Sequence, residues 1–190
     1  LDLLDDDGPL WIIDPVDGTA NFAAGKPLFA VMVAFVVGGE TRAGWIYDPV
    51  RETMAIAVQG EGAQIDGRRV RVPEFKPAGR MRGRVNFGSF PELRRPVLRQ
   101  RFRDRFTIEK SLRCVGQEFL GLVQGDFEFR LYNRLWAWDH APGVLLLREA
   151  GSHVARVDDA PYRPTERTRA LLCSASLGQW DTLSDLMRAD

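Results

Sequence analysis

Cysteine and histidine are scarce in this chain of 190 residues, which contains only two of each. So few of these residues exclude a zinc site built from cysteine and histidine ligands. Cys114 and Cys173 would allow one disulfide, but we expect both thiols to be reduced in a cytoplasmic protein.

An excess of charge of either sign is also lacking, because 26 basic residues balance 26 acidic ones. A net charge of zero gives no indication of a nucleic-acid partner or of an anionic membrane partner. The sequence has no apolar run long enough to cross a bilayer. The arginines between Arg94 and Arg105 are interpreted as the solvated face of a helix, not as a nucleic-acid-binding stripe.

Short apolar segments separated by glycine open the chain, a pattern typical of antiparallel strands. The run Leu10–Ile13 predicts a buried strand that ends at Asp14, where Pro15 and Gly18 force a turn. Further strands are predicted at Leu28–Val37, Thr41–Tyr47 and Met54–Val58, with short hairpins at Gly60, Gly62 and Asp66-Gly67. Residues 1–75 are therefore predicted to form an antiparallel sheet.

Strand and helix patterns alternate in residues 76–190, which predicts an α/β arrangement for this part of the chain. Helices are predicted at Pro91–Phe106, Val115–Val123, Ala141–Glu149 and Trp180–Met187, and strands at Val85–Phe87, Asp126–Leu131 and Thr168–Ser174.

Two aspartates lie three residues apart in the string Asp14-Pro15-Val16-Asp17-Gly18-Thr19. Carboxylates on a stiff turn, with the Val16 carbonyl between them, are the oxygen ligands that Mg²⁺ prefers. Gly18 and Thr19 would begin a short helix whose free N–H groups favour a phosphate. The same string is equally good turn chemistry, so taken alone it leaves both interpretations open.

A second string, Trp138-Asp139-His140-Ala141-Pro142-Gly143, precedes an apolar helical segment. Asp139 is predicted to be the N-cap of that helix, with Pro142 in the first turn. A plain helix cap and a cation ligand are both compatible with this position. Trp136 and Trp138 are interpreted as core or interface residues, not as a stacking platform.

Taken together, the strings at Trp11–Phe22 and Trp138–Gly151 resemble the two signature motifs of the inositol monophosphatase family of Mg²⁺-dependent, lithium-sensitive phosphatases. The resemblance implies a layered α/β (α+β) sandwich like that of inositol monophosphatase and fructose bisphosphatase, here without its N-terminal helical layer. It also implies two or three Mg²⁺ ions held by Asp14, Val16, Asp17 and Asp139. Thr19 would orient the attacking water beside Asp17, and the N–H groups of Gly18 and Thr19 would hold the phosphate.

Two departures from the family pattern concern the metal and the substrate. No Gly-Glu-Glu element, which supplies a metal-binding glutamate in the family, precedes Asp14. Inositol-type members place a sugar-binding glutamate where this chain has Tyr132, which is followed two residues later by Arg134. Ser89 and Glu118 fall near further positions that contact the substrate in the family.

From these motifs we expect one continuous catalytic unit that hydrolyses a small phosphorylated metabolite. The substrate is left open between inositol phosphate, histidinol phosphate, fructose bisphosphate and adenosine bisphosphate. A catalytically silent binding or regulatory subunit is the alternative to an enzyme. The resemblance further implies a homodimer. Because the strand ending at Asp14 is apolar on both faces, and Leu1, Leu3 and Leu4 are too few to cover it, we expect the gene product to continue upstream.

Overall fold

Six strands from the first part of the chain form one antiparallel sheet in sequential order. The computed structural model describes residues 7–73, 80–165 and 170–188. The strands are β1 (Leu10–Asp17), β2 (Ala30–Val37), β3 (Glu40–Asp48), β4 (Thr53–Val58), β5 (Gly62–Ile65) and β6 (Arg68–Val70). Gly38 and Gly39 both have positive φ in the β2–β3 turn, as a two-residue hairpin requires. The predicted antiparallel sheet is confirmed.

Strand β1 runs past the point where the sequence predicted its end. It continues from Asp14 through Asp17, and its pairing with β2 shifts register between these two residues. Asp14 pairs with Met32 and Asp17 with Ala30, so β1 has one residue more than β2 across this stretch. The prediction that the strand ends at Asp14 was therefore wrong, and the chain turns only at Gly18, which has positive φ. Pro15 lacks an N–H group for the ladder, and an irregularity within the strand accommodates it instead.

A second sheet of five strands comes from the later part of the chain. It consists of β7 (Arg82–Val85), β8 (Thr107–Glu109), β9 (Phe129–Tyr132), β10 (His153–Arg156) and β11 (Leu171–Ser174), in the order β10-β11-β9-β7-β8. Strand β7 is parallel to β8 and β9, whereas the other pairs are antiparallel. The sequence did not predict β8 or β10. It also placed the β7 strand too late, since Phe87 lies in a 3₁₀ turn.

Within the described residues, five α-helices accompany the sheets: α1 (Thr19–Ala23), α2 (Arg95–Arg105), α3 (Val115–Gln124), α4 (Ala137–Glu149) and α5 (Leu177–Arg188). None of the described helices is long and apolar enough to cross a membrane. Helix α4 begins four residues earlier than predicted, because its N-cap is Trp136, in an extended conformation. The prediction of Asp139 as N-cap was therefore wrong, and this residue lies third in the first turn.

The layers pack around two hydrophobic clusters. Helices α3 and α4 lie between the sheets, where Phe119 and Leu147 pack with Met32 of the first sheet and Leu171 of the second. On the other side of the second sheet, α2 and α5 cover a second cluster that includes Phe102, Phe129, Leu172 and Leu183. The order of layers is thus sheet, helices, sheet, helices, which agrees with the predicted layered α/β sandwich. The boundary predicted at residues 75 and 76 falls in residues 74–79, outside the described residues, and stays a prediction.

Helix α4 is held closely against the first sheet. A Cβ at Gly44 would lie 2.8 Å from Pro142 Cα, so only glycine lets β3 and α4 approach this closely. At the far end of α4, the Glu149 carboxylate accepts hydrogen bonds of 2.8 Å from the N–H groups of Gly60 and Gly62. Contacts near its start and at its end therefore fix the position of α4.

The outer face of the first sheet is apolar and partly open. Trp11 and Ile13 of β1 are each 57% exposed. The Trp11 ring lies 4.9 Å from that of Phe35 and 5.6 Å from that of Trp45, on the two strands that follow. Strand β1 is thus apolar on both faces, as the sequence indicated.

Candidate metal centre

Three aspartates from the two predicted motifs lie together at one end of the first sheet. Asp14 and Asp17 come from the irregular stretch of β1, and Asp139 comes from the first turn of α4. One carboxylate oxygen of each residue lies within 4.8 Å of the others. The contact between β1 and α4 thus brings together side chains that are far apart in sequence.

Asp17 is the most firmly held of the three carboxylates. Its Oδ2 accepts hydrogen bonds from the Gly116 N–H at 2.6 Å and from the Cys114 thiol at 3.1 Å. A Cβ at Gly116 would lie 2.9 Å from that of Ala30, so glycine lets this N–H approach so closely. Burial raises the pKa of Asp17, although the hydrogen bonds act in the opposite direction. This anchor was not predicted, and its only signal in the sequence is the string Cys114-Val115-Gly116.

The pKa of Asp139 is strongly raised within the cluster. Burial, followed by the negative charges of Asp17 and Asp14, raises the pKa of Asp139 from 3.8 to about 7. The Asp139 carboxyl therefore keeps its proton to a higher pH than an exposed aspartate does, as long as no cation compensates the cluster. A divalent cation at this position would counteract the repulsion between Asp139 and the other two carboxylates.

The donor set fits a hard divalent cation. In the part of the chain that the structure describes, none of the ion pairs involves Asp14, Asp17 or Asp139. Three uncompensated carboxylates with converging oxygens match the ligands preferred by Mg²⁺. The carbonyl oxygen of Val16 lies between the two β1 aspartates in sequence and accepts a hydrogen bond of 2.9 Å from the Thr19 hydroxyl.

The predicted phosphate-binding segment begins a short helix directly after Asp17. Gly18 has a φ of 83°, a left-handed conformation that favours glycine, and α1 starts at Thr19. A Cβ at Gly18 would lie 3.0 Å from Cys114 Cβ and 3.1 Å from the Leu28 carbonyl oxygen. The positive φ and the lack of room for a Cβ both therefore favour glycine at position 18. The roles predicted for Gly18 and Thr19 stay predictions.

The residues predicted to contact substrate lie in different environments. Glu118 is buried. Its carboxylate accepts hydrogen bonds from Arg130 Nε at 2.6 Å, from Ser111 Oγ at 2.8 Å and from the Leu112 N–H at 2.9 Å. Tyr132 is 3% exposed and packs against Phe119 and His140, with ring centroids 5.4 and 4.8 Å away.

Of the other two predicted substrate residues, Arg134 is exposed at the surface. Ser89 lies in the 3₁₀ turn Phe87–Ser89, and its side chain is outside the described part. All four substrate contacts stay predictions. The ion pair of Arg130 with Glu118 was not foreseen, although a charged residue inside the apolar strand β9 signals a buried partner.

Comparison with known proteins gives consistent matches. The model of the inositol monophosphatase family matches residues 2–188. "Nus factor SuhB" of Pasteurella multocida is 36% identical over 154 residues, covering 76% of this chain and 55% of that protein. "Inositol-1-monophosphatase" of Mesorhizobium japonicum is 35% identical over 164 residues, covering 78% of this chain and 57% of that protein. The chain thus spans little more than half the length of these relatives.

A solved structure of an IMPase from Thermotoga maritima has the same fold. It superposes with a TM-score of 0.79 at 27% sequence identity, covering 95% of this chain and 68% of its own. The family match extends over almost the whole chain, and both strings with their three aspartates lie within it. The chain belongs to the inositol monophosphatase family.

Proposed function

We propose that this chain hydrolyses a phosphate monoester of a small metabolite, with Mg²⁺ at the three aspartates. The observation that carries the proposal is the convergence of carboxylate oxygens of Asp14, Asp17 and Asp139 within 4.8 Å, none of which forms an ion pair within the described residues. Membership of the inositol monophosphatase family supports the same reaction class.

Each residue of the cluster has a proposed task. Asp14, Asp17 and Asp139, together with the Val16 carbonyl, hold two or three Mg²⁺ ions. When bound there, Mg²⁺ would supply a water of lowered pKa and would stabilise the charge that develops on the leaving oxygen. The Thr19 hydroxyl orients this water, and the N–H groups of Gly18 and Thr19 bind the phosphate. Cysteine and histidine nucleophiles are not needed, and the thiol of Cys114 is buried with a raised pKa.

The substrate is not expected to be a simple cyclitol phosphate. Tyr132 stands where inositol-type members have a glutamate that binds sugar hydroxyls, and it is buried against Phe119. Glu118, the one carboxylate among the predicted substrate residues, is already paired with Arg130. We therefore expect inositol 1-phosphate not to be the best substrate in a panel of phosphorylated metabolites. The highest kcat/KM for inositol 1-phosphate would contradict this.

The test combines turnover with metal binding. Phosphate release should require Mg²⁺ and stop in excess EDTA, and Asp17→Asn should lower kcat/KM by a factor on the order of 100 or more, the scale of a lost electrostatic group. Isothermal titration should show Mg²⁺ binding by the wild-type chain but not by Asp17→Asn. The control is Asp185→Asn, which changes an exposed carboxylate of α5. Undiminished hydrolysis in EDTA would refute the proposal.

A second candidate is a catalytically silent binding or regulatory protein. Relatives with 36% and 35% identity are named "Nus factor SuhB", a name that does not describe hydrolysis. Mg²⁺ binding without release of phosphate from any ester of the panel would favour this second candidate.

We also propose a cytoplasmic homodimer with a small phosphorylated metabolite as its ligand and no nucleic-acid or membrane partner. This proposal follows from the family resemblance and from the balanced charge. Sedimentation equilibrium checks this proposal. A measured mass equal to that of one protomer at every concentration would contradict the dimer.

A further inference from the structure

The first turn of helix α3 contacts one carboxylate of the acidic cluster. Helix α3 has ten residues and begins at Val115, with Cys114 as its N-cap residue in an extended conformation. The N–H groups of a first helical turn have no partner within the helix and carry a partial positive charge. One of them, the Gly116 N–H, donates to Oδ2 of Asp17 at 2.6 Å. A carboxylate from strand β1 thus takes the place that an N-cap side chain usually has.

The thiol of Cys114 reaches the same carboxylate oxygen. Its Sγ lies 3.1 Å from Oδ2 of Asp17 and 3.7 Å from the Asp17 carbonyl oxygen. An ionised carboxylate only accepts hydrogen bonds, so the thiol is the donor in this contact. Only 1% of Cys114 is exposed, which keeps bulk water away from the sulfur. The hydrogen bonds from Gly116 and Cys114 both end on Oδ2, which leaves Oδ1 of Asp17 for a cation.

Close packing keeps the cysteine side chain in this position. A Cβ at Gly18 would lie 3.0 Å from Cβ and 3.3 Å from Sγ of Cys114, so the turn that follows β1 lies directly against the thiol. Asn21 Nδ2 donates to the carbonyl oxygens of Leu112 at 2.9 Å and of Arg113 at 3.3 Å. These hydrogen bonds tie the segment before Cys114 to helix α1. The sulfur is therefore held from both sides.

Burial alone does not explain the contacts of this cysteine. Cys114 and Cys173 are both buried in the same hydrophobic cluster. Among the described residues, no hydrogen bond to a carboxylate involves the Cys173 thiol, whereas the Cys114 thiol donates to Asp17. Filling the core accounts for Cys173, but it does not account for a hydrogen bond from Cys114 to a proposed metal ligand.

We infer that Cys114 is a positioning residue of the metal centre, whose thiol holds Oδ2 of Asp17 together with the Gly116 N–H, so that Oδ1 faces the cation. This inference rests on the proposed function, because it requires that Asp17 binds Mg²⁺. Loss of a group that orients a metal ligand weakens metal binding by about 10- to 100-fold. Because a thiol is a weak donor, we expect the lower end of this range, about tenfold, for the loss of this hydrogen bond.

The test measures the Mg²⁺ affinity of three variants by isothermal titration. Cys114→Ala removes the donor and should weaken Mg²⁺ binding about tenfold. Cys114→Ser keeps a donor and should bind Mg²⁺ within about threefold of wild type. A cysteine that only fills the core predicts the reverse order, because a hydroxyl without a partner is less favourable there than a methyl group. The matched control is Cys173→Ala, the same change at the other buried cysteine, which should leave the affinity within about twofold.

A second readout depends neither on Mg²⁺ nor on turnover. Because the chain has two cysteines, Cys173→Ala leaves the Cys114 thiol alone, and Cys114→Ala leaves the Cys173 thiol alone. In Raman spectra recorded in EDTA, the S–H stretching band of Cys114 should lie at lower frequency than that of Cys173, because hydrogen bonding weakens the S–H bond.

Two results would overturn the inference, namely equal frequencies of the two S–H bands or equal Mg²⁺ affinities of wild type and Cys114→Ala. The proposed function fails separately. If wild type binds no Mg²⁺, the proposed function and the inference both fail, whereas an unchanged affinity in Cys114→Ala refutes the inference alone.

Discussion

Replacement of Asp139 by asparagine should stabilise the protein in EDTA at neutral pH, because it removes one of three carboxylates that repel one another. The pKa of Asp139 is raised from 3.8 to about 7 by burial and by the charges of Asp17 and Asp14. Above neutral pH, this raised pKa lowers the free energy of unfolding of wild type by an amount on the order of 4 kcal/mol. For a chain of this size, we expect a rise in Tm on the order of 10 °C.

The sign of the effect depends on pH. Below pH 3.8 the Asp139 carboxyl is protonated in the folded and the unfolded state, so the replacement should change little. Between pH 3.8 and about 7 the unfolded chain releases this proton before the folded one, and wild type loses stability as pH rises. The advantage of Asp139→Asn should therefore grow over this range and stay constant above it.

Thermal unfolding by circular dichroism between pH 4 and 8, in EDTA, measures this advantage. Asp185→Asn, an exposed carboxylate on α5, is the control and should change Tm little. On the proposed function, Mg²⁺ should bind the folded state and raise the Tm of wild type, whereas Asp139→Asn should lose most of this rise. The reasoning would be refuted if Asp139→Asn were less stable than wild type at pH 8 in EDTA, or gained equally at pH 4 and 8.

Two further predictions concern the core. Arg130→Met should lower the free energy of unfolding by about 3–5 kcal/mol, because Glu118 would stay buried without its counter-charge. Denaturant titration measures this loss. A loss below about 1 kcal/mol would contradict the prediction and mean that water reaches the ion pair of Arg130 and Glu118. Gly143→Ala should destabilise the protein by about 1–3 kcal/mol or more, because the new Cβ would overlap the Phe119 ring. Gly178→Ala is its matched control, since a Cβ there meets nothing within 4 Å, and equal effects of the two changes would contradict the packing described.

Local pattern was sufficient to predict the first sheet and the approximate position of the longer helices. Strands β2, β3 and β4 are apolar, and glycines or charged residues separate them, so alternation and turn chemistry define them without reference to the rest of the chain. The proximity of Asp14 and Asp17 also follows from local sequence. Only the family resemblance predicted that Asp139 lies beside these two residues, because nothing in its own segment specifies which strand α4 contacts.

Features that depend on distant partners were not predicted. The stretch between Asp14 and Asp17 stays in the sheet because β2 continues to pair with it, which the local turn signal of Pro15 does not reveal. Strand β8 has only three residues, too few for a periodic pattern, and exists through its parallel pairing with β7. The start of α4 at Ala137 likewise depends on packing, because Trp136 is a poor N-cap by propensity.

Helix α4 sets a fixed distance between the acidic cluster and a hairpin on the other side of the molecule. The ten residues from Asp139 to Glu149 span about 15 Å. Because both oxygens of Glu149 hold the hairpin of β4 and β5, and Pro142 rests on Gly44, the helix cannot slide along the first sheet without losing these contacts. The geometry of the three carboxylates thus depends on a hairpin that contributes none of them. Evolution or design could therefore tune the affinity of the cluster for cations from this remote end, without changing any of its ligands.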